Sequence, residues 1–320
     1  MNIKQEYIFF KQDIDNFRFN GLRQIRYYNF WTTQLAREIW FTQFIEQHDL
    51  LRNNKTRVNF YSVLGPVELL KKRKRGINIF FSGENMQAER FNDYKQLCKE
   101  QTFDLSLGFD YEYNEGYLRF PLWIMSLFDP RADYQAVKLR VKQLSEIRYD
   151  NRAGFCSLVA SHDWNGIRGQ IIDSLSEIGT VISAGKFRKN TNDLSELYTD
   201  NKYEFIKQYK FNICPENSNA PGYVTEKIFQ SIEAGCIPIY WGSNNRPEED
   251  ILNQNAIICW NKDSDNSSVL ELIREINSDS KLYQQFLCQP RFTSDAEDKI
   301  WEYYLNLKIN FKRLLLSNLT

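Results

Sequence analysis

Residues 211–242 read FNICPENSNAPGYVTEKIFQSIEAGCIPIYWG, and this stretch decides the fold. It begins with a short apolar run, Phe211–Cys214, which has the length of a strand and is followed by a polar loop rich in Asn, Pro and Gly. After Thr225 the apolar residues recur at helical spacing as far as Gly235, and Ile237–Trp241 is a second apolar run. The pattern therefore predicts a strand, a loop, a helix and a second strand, in that order.

The loop and the start of the predicted helix are suited to binding an anion. In open α/β sheets, ligands bind beyond the carboxyl ends of the strands, where helix N-termini present free N–H groups. Lys227 adds a positive charge at this point, so a nucleotide-sugar pyrophosphate is a ligand that fits. The alternative is an ordinary crossover with a solvated loop, because the stretch contains neither GxGxxG nor a Walker loop.

The composition describes a globular protein without a chain-wide charge. Its 320 residues are enough for two domains of ordinary size, and 42% of them are hydrophobic. The 41 basic and 41 acidic residues cancel, which excludes a global field that would recruit nucleic acid. The six cysteines are scattered singly, with no zinc-ligand spacing, and this pattern predicts reduced thiols, as in the cytosol.

Strand-like and helix-like segments alternate along the chain, which predicts an α/β fold with parallel sheets. The charged residues 129–152 are predicted to connect two halves. The predicted strands include Arg57–Leu64, Ile77–Phe81, Phe155–Ser161, Phe211–Cys214, Ile237–Trp241 and Ala256–Trp260, and the predicted helices include Tyr28–His48, Gly166–Ile178, Lys202–Tyr209, Val269–Ile276, Lys281–Leu287 and one or two within Asp295–Thr320.

Several motifs together resemble one family. ENSNAPGYVTEK, followed by AG and an apolar run, resembles the signature of the α1,3/4-fucosyltransferases, glycosyltransferase family 10, in which FENS precedes YVTEK. SGEN at 82–85, FDLSLGFD at 103–110 and YLRFPLW at 117–123 resemble three motifs of bacterial members, in the same order. ASHDWNGIRGQ at 160–170 resembles a fifth motif, ASN-spacer-IRN. His162 and Pro215 depart from the family pattern, which leaves the exact loop shapes open.

This resemblance implies the GT-B architecture, in which two Rossmann-like α/β domains have parallel sheets that face a central cleft. Residues 1–150 are then expected to form an N-terminal acceptor-binding domain that carries the catalytic base. Residues 151–295 are expected to form the GDP-fucose-binding domain. The C-terminal helix, 296–320, is expected to pack back on the first domain.

The resemblance also implies an inverting α1,3-fucosyltransferase. Such an enzyme moves L-fucose from GDP-β-L-fucose to the 3-OH of N-acetylglucosamine or glucose, in a Lewis-type glycan or a lipopolysaccharide O-antigen. The alternatives are another inverting GT-B glycosyltransferase and a catalytically inactive glycan-binding relative. Animal and plant members carry an N-terminal membrane anchor, and no such segment is recognisable here, which predicts a bacterial, cytoplasmic enzyme.

Local basic segments leave a peripheral membrane contact open. KKRKR at 71–75 is either a solvated loop or a patch that meets anionic lipid on the inner face of the membrane. The same two interpretations, a solvated surface or a membrane contact, apply to the basic residues beside Leu314–Leu316, which are Lys308, Lys312 and Arg313.

The resemblance implies that Glu84 in SGEN is the general base. From the residues alone, Glu84 is an acidic residue that follows a predicted strand, and the commoner role of such a residue is to cap a helix. Arg168 and Lys227 are expected to bind the pyrophosphate. Glu226 is expected to hold the sugar or face its developing positive charge. The other expected donor-binding residues are Glu216, Asn217, Tyr223 and Arg188.

Asp263-Ser264-Asp265 formally matches a DxD metal motif, but its Asn- and Ser-rich surroundings favour a loop or a helix cap. We therefore predict no protein-held metal ion and no bound cofactor, with stimulation by Mn²⁺ left open.

Overall fold

A computed structural model gives the fold, and it describes residues 7–8, 10–14, 24–30, 36–52, 54–71, 74–99, 102–111, 115–146 and 152–318. The described residues form two compact units, of which the first lies between Met1 and Gln135 and also includes residues from Ile300 onward. The second unit is continuous, from Ala136 to Lys299. Each unit contains one five-stranded parallel sheet.

The first sheet has its strands in sequence order. Strands β2 and β3 are buried along their whole length, as expected of parallel strands that are covered on both faces. The strands are β1 (Ile25–Tyr28), β2 (Val58–Tyr61), β3 (Ile77–Phe81), β4 (Leu105–Gly108) and β5 (Tyr117–Arg119), and the helices of this unit include α1 (Trp40–Gln47), α2 (Asn92–Lys99) and α3 (Leu122–Leu127).

The second sheet reverses its direction of winding, with strand order β10-β9-β8-β6-β7. From β6 the chain adds β7 on one side and then β8, β9 and β10 on the other, so the switch point lies between β6 and β8. The strands are β6 (Gly154–Leu158), β7 (Val181–Ser183), β8 (Tyr209–Ile213), β9 (Ile237–Tyr240) and β10 (Ile258–Cys259). Loops that follow β6 and β8 therefore meet at the edge where such sheets bind ligands.

Helices precede, separate or follow these strands along the chain, and three of them, at 167–175, 267–278 and 280–287, contribute apolar residues to a core cluster of the second unit. The helices are α4 (Tyr134–Ser145), which contains the boundary between the units, α5 (Ile167–Leu175), α6 (Asp193–Glu196), α7 (Lys202–Ile206), α8 (Glu226–Glu233), α9 (Ser267–Ser278) and α10 (Ser280–Leu287). The last helix is α11 (Ala296–Ser317). None of the helices in the described part of the chain is both long and apolar enough to span a bilayer.

The C-terminal part of α11 completes the core of the first unit. The Tyr304 ring lies 5.5 Å from that of Trp40, and its hydroxyl donates to the Asp129 carbonyl oxygen at 2.8 Å. The Phe311 ring is fully buried, 6.4 Å from the ring of Phe44 and 6.1 Å from that of Phe60. The first sheet therefore depends on a residue, Phe311, that lies about 250 positions beyond Phe60 of β2 in sequence.

One predicted segment is wrong. The helix expected over Tyr28–His48 is instead the end of β1 and, from Trp40, helix α1, with residues 31–35 outside the described part. The aromatic residues of β1 stabilise a strand, because the Tyr27 ring stacks on the Phe60 ring of β2. The connection predicted for 129–152 contains α4, while residues 147–151, like Lys72 and Arg73 of KKRKR, lie outside the described residues.

We expect the substitution Phe311→Ala to destabilise the first unit by about 3–5 kcal/mol, because it empties a fully buried aromatic position. Urea unfolding followed by circular dichroism measures this loss. The matched control is Ile309→Ala on the same helix, where the side chain is 61% exposed and the expected change is below about 0.5 kcal/mol. Equal effects of the two substitutions would contradict the packing of α11 described above.

Candidate functional site

The candidate site lies at the switch point of the second sheet, in the loops after β6 and β8. Most of the site residues expected in this unit are on these loops or on the first turns of the helices that follow, α5 and α8. Asn165 joins the two loops, because its side-chain amide donates to the Asn217 carbonyl oxygen at 3.0 Å. The fold thus brings residues 160–168 and 216–227 together.

Glu216 is a fully buried carboxylate that organises the second loop. Its Oε1 accepts from the Thr225 N–H at 2.7 Å, and Thr225 Oγ1 lies 2.8 Å from Oε2. Lys227 Nζ donates to Glu216 Oε2 at 3.0 Å and to Thr225 Oγ1 at 2.7 Å. Burying a charge is costly unless it is paired and hydrogen-bonded, and these partners meet that condition. In this structure the described partners of Glu216 are protein groups, and its expected contact with a donor stays a prediction.

Gly242 makes room for this carboxylate. Its backbone has φ +140° and ψ 173°, a region that is essentially restricted to glycine. A Cβ at this position would lie 2.8 Å from Glu216 Cγ and 2.9 Å from Glu216 Cβ. The glycine that ends the opening sequence stretch is therefore required by the close approach of Glu216 as well as by the backbone angle.

Lys227 and Glu226 occupy the first turn of α8. Burial opposes the charge of Lys227, but Glu216 and Glu226 together outweigh it and raise the pKa of the lysine above its ordinary value. The side chain of Lys227 remains 23% exposed, whereas that of Glu216 is inaccessible. Lys227 is therefore a charged group that donates to the buried Glu216 carboxylate while part of its side chain stays exposed to solvent.

Arg168 is held by the loop after β6 and by the second loop. Asp163 caps α5, since its carboxylate accepts from the N–H groups of Arg168 at 3.1 Å and Gly169 at 2.8 Å. The guanidinium donates to Asn217 Oδ1 at 2.9 Å and to the His162 carbonyl oxygen. Burial lowers the pKa of Arg168 below its usual value. A guanidinium has five N–H donors, so these contacts leave donors for a ligand.

A small cavity of about 40 Å³ lies beside these groups, and Arg168, Lys202 and Lys227 all line it. This volume is close to that of one water molecule in the liquid. The cavity is therefore large enough for a water molecule or a single phosphate oxygen. Lys202 was missed by the sequence reasoning because it belongs to no recognised motif.

The other two expected donor-binding residues differ in exposure. Tyr223 is almost fully buried. Arg188 is exposed and forms a two-point ion pair with Asp173 on α5, with Nη2 to Oδ2 at 3.1 Å. Within the described residues, no contact joins Arg188 to Asn217 or Lys227, and its role in donor binding stays a prediction.

Glu84 belongs to the first unit, where it follows β3. Ser82 Oγ lies 3.1 Å from the Glu84 N–H and 3.0 Å from its carbonyl oxygen, which closes the turn. Its carboxylate accepts from Arg90 Nη2 at 2.9 Å, in a pair whose side chains are 33% and 50% exposed. Exposed pairs contribute only about 0–1 kcal/mol, so Arg90 holds the Glu84 carboxylate weakly, and the expected role of Glu84 as the general base stays a prediction.

The DxD sequence forms a helix cap. Asp265 Oδ1 accepts from the N–H of Ser267 at 2.9 Å and from its hydroxyl at 2.6 Å, at the start of α9. These hydrogen bonds with Ser267 lower the pKa of Asp265 below its ordinary value. Over the part of the chain that the structure describes, no group of three or more His, Cys, Asp or Glu side chains could hold a metal ion.

Two family models match this chain over both units. The model of the α-(1,3)-fucosyltransferase FucT N-terminal domain matches residues 25–126. The model of the glycosyltransferase family 10 (fucosyltransferase) C-terminal region matches residues 149–303, which include the whole site around Glu216. The chain belongs to glycosyltransferase family 10.

Relatives in this family include an α-(1,3)-fucosyltransferase, FucT, of Helicobacter pylori, which is 29% identical over 80% of this chain and 55% of its own length. The α-(1,3)-fucosyltransferase B of Drosophila melanogaster is 32% identical over 29% of this chain and 21% of its own length. The chain thus spans about half of the first relative and a smaller part of the second.

Solved structures support the fold. A crystal structure of an α1,3-fucosyltransferase superimposes with a TM-score of 0.62, covers 90% of both chains and is 22% identical. A crystal structure of an α1,3-fucosyltransferase with GDP-fucose superimposes with a TM-score of 0.57. The expected fold class is confirmed as α/β of the GT-B type, with two parallel sheets.

We expect Gly242→Ala to destabilise this family-10 chain by about 3 kcal/mol or more, because backbone strain adds to the contact with Glu216. Gly166→Ala is the control, since Gly166 also has a positive φ of 77° but its Cβ would meet nothing within 4 Å. Backbone strain alone should then cost about 1–2 kcal/mol. Urea unfolding compares the two, and an equal loss of stability would exclude the close approach as a constraint.

Proposed function

We propose that this chain is an inverting α1,3-fucosyltransferase that transfers L-fucose from GDP-β-L-fucose to a glycan containing N-acetylglucosamine or glucose. The observation that carries this proposal is the pair of basic side chains, Arg168 and Lys227, held at the switch point of the second sheet. Membership of family 10, the activity named for the Helicobacter pylori relative and the GDP-fucose named for a structure of similar fold support the choice of donor.

Donor binding uses the positive charges of the second unit. Arg168 and Lys227 bind the diphosphate, and Asn217, which already positions Arg168, contacts the donor beside it. Tyr223 and Glu226 contribute to the fucose or ribose side of the site. These roles are supported by the exposure of Lys227 and by the guanidinium donors of Arg168 that its protein contacts leave over.

The transfer itself is a single displacement. The bond between fucose C1 and the β-phosphate oxygen breaks, and its electron pair stays on GDP, where Arg168 and Lys227 stabilise it. The acceptor oxygen forms a bond to C1 from the opposite face, so a β-linked donor gives an α-linked product. The proton of the acceptor hydroxyl goes to Glu84, which exchanges its exposed pairing with Arg90 for the substrate.

The acceptor is a Lewis-type glycan or a lipopolysaccharide O-antigen in this proposal. A lipid-linked acceptor is compatible with the outer face of α11, where Ile309 is 61% and Leu316 is 67% exposed. Lys308, Lys312 and Arg313 lie on the same helix and would favour an anionic lipid surface.

A transfer assay tests the proposed function. The chain is incubated with GDP-fucose, GDP-mannose or UDP-galactose and a panel of type 1 and type 2 acceptors, followed by linkage analysis. We expect fucose in an α1,3 linkage and no product from the other donors. Transfer of a different sugar would favour another inverting glycosyltransferase, and GDP binding without turnover on any acceptor would favour an inactive glycan-binding relative.

The substitution Glu84→Gln should lower kcat by about 10²- to 10⁴-fold, the usual contribution of a general base, while GDP affinity stays within about twofold. Steady-state kinetics and calorimetric titration measure the two quantities. Glu89→Gln, at an exposed acid five residues away, is the control and should leave both unchanged. Full turnover by the Glu84 variant would remove this residue as the base.

A further inference from the structure

The cavity of the site is lined by a third basic residue, Lys202, in addition to Arg168 and Lys227. Lys202 is the first residue of α7, the short helix that precedes β8. It lies in neither the loop after β6 nor the loop after β8, so a separate part of the chain brings its charge to the same cavity.

The backbone before Lys202 is fixed by local contacts. Asn201 caps α7, since its Oδ1 accepts from the Glu204 N–H at 3.2 Å. Its own N–H donates to the Tyr198 carbonyl oxygen at 2.8 Å. The Asp200 N–H donates to the Leu194 carbonyl oxygen, also at 2.8 Å. These contacts fix the backbone at the start of α7.

The three basic side chains differ in their protein partners. Lys227 donates to Glu216 and Thr225, and Arg168 donates to Asn217 and the His162 carbonyl oxygen. For Lys202 the described part of the chain provides no hydrogen bond and no ion pair. Its ammonium is thus the basic group of this cavity that is not committed to a protein acceptor.

The electrostatics of the cavity favour an anion beside Lys202. Burial lowers the pKa of Lys202 below its ordinary value, and the positive charges of Lys227 and Arg168 act in the same direction, against the attraction of Glu226. Three positive charges, those of Arg168, Lys202 and Lys227, face three carboxylates, those of Asp163, Glu216 and Glu226. Lys202 differs from the other two bases in being exposed and without a hydrogen bond to a described protein acceptor, so a diphosphate beside the cavity would gain a direct contact with its ammonium.

We propose that Lys202 is a third phosphate-contacting residue, which binds the diphosphate of a nucleoside diphosphate together with Arg168 and Lys227. This inference rests on the proposed function, because it takes GDP as the leaving group.

Calorimetric titration with GDP and with inorganic pyrophosphate tests this role on the full chain. Lys202→Met should weaken the binding of both ligands by about tenfold, the value of one charge-assisted hydrogen bond. Lys202→Arg keeps the charge and should restore most of the affinity. Lys207→Met is the matched control, because Lys207 lies just after the same helix but is paired with Glu204, and its variant should bind GDP like the parent.

Each result of this titration decides one question. If the parent chain binds GDP and Lys202→Met binds it equally well, Lys202 makes no phosphate contact while the proposed function stands. If Lys202→Arg loses as much affinity as Lys202→Met, a positive charge at this position is not what the ligand requires, and the inference is wrong. If the parent itself does not bind GDP, the proposed function fails, and this inference fails with it.

Discussion

The ion pair between the buried carboxylate of Glu216 and Lys227 is the interaction on which the site depends. Removing one partner of a buried pair leaves an uncompensated charge, which costs about 3–5 kcal/mol. The pair also fixes the loop between β8 and α8, because the same carboxylate receives the Thr225 N–H. Stability and the proposed binding of the diphosphate are therefore coupled at Lys227, so a weaker affinity of a Lys227 variant would have two physical causes.

Arg168 and Lys202 are positioned in different ways from Lys227. The Arg168 guanidinium donates to neutral oxygen atoms of Asn217 and His162. The backbone beside Lys202 is held by the Asn201 cap, and its ammonium makes no hydrogen bond with the described residues. The site thus contains one basic group that is paired with a buried acid, one that donates to neutral oxygen atoms, and one, Lys202, that we propose contacts the diphosphate. Such an arrangement keeps positive charge near a switch point without requiring the free protein to bear three unscreened charges.

The sequence predicted the central strand–loop–helix–strand unit because local apolar spacing and Gly235 define it. Motif resemblance added Arg168 and Lys227, which the fold brings to one cavity. Neither apolar spacing nor motif resemblance predicted β1, whose IRYY sequence is stabilised as a strand by stacking of the Tyr27 ring on the Phe60 ring of β2. Nor did either predict Lys202, because its proximity to the other two basic groups arises from non-local packing that leaves no spacing in the sequence.

The assignment of the end of α11 to the first unit has a consequence for folding during synthesis. The second unit is continuous in sequence, whereas the first needs residues from Ile300 onward to complete its core. A nascent chain therefore makes the first sheet early but closes its aromatic core last, after the second unit has emerged in full. Until then Phe44 and Phe60 have their ring partners within the first unit but lack the contact with Phe311, so the last helix to be synthesised completes the first core to be started.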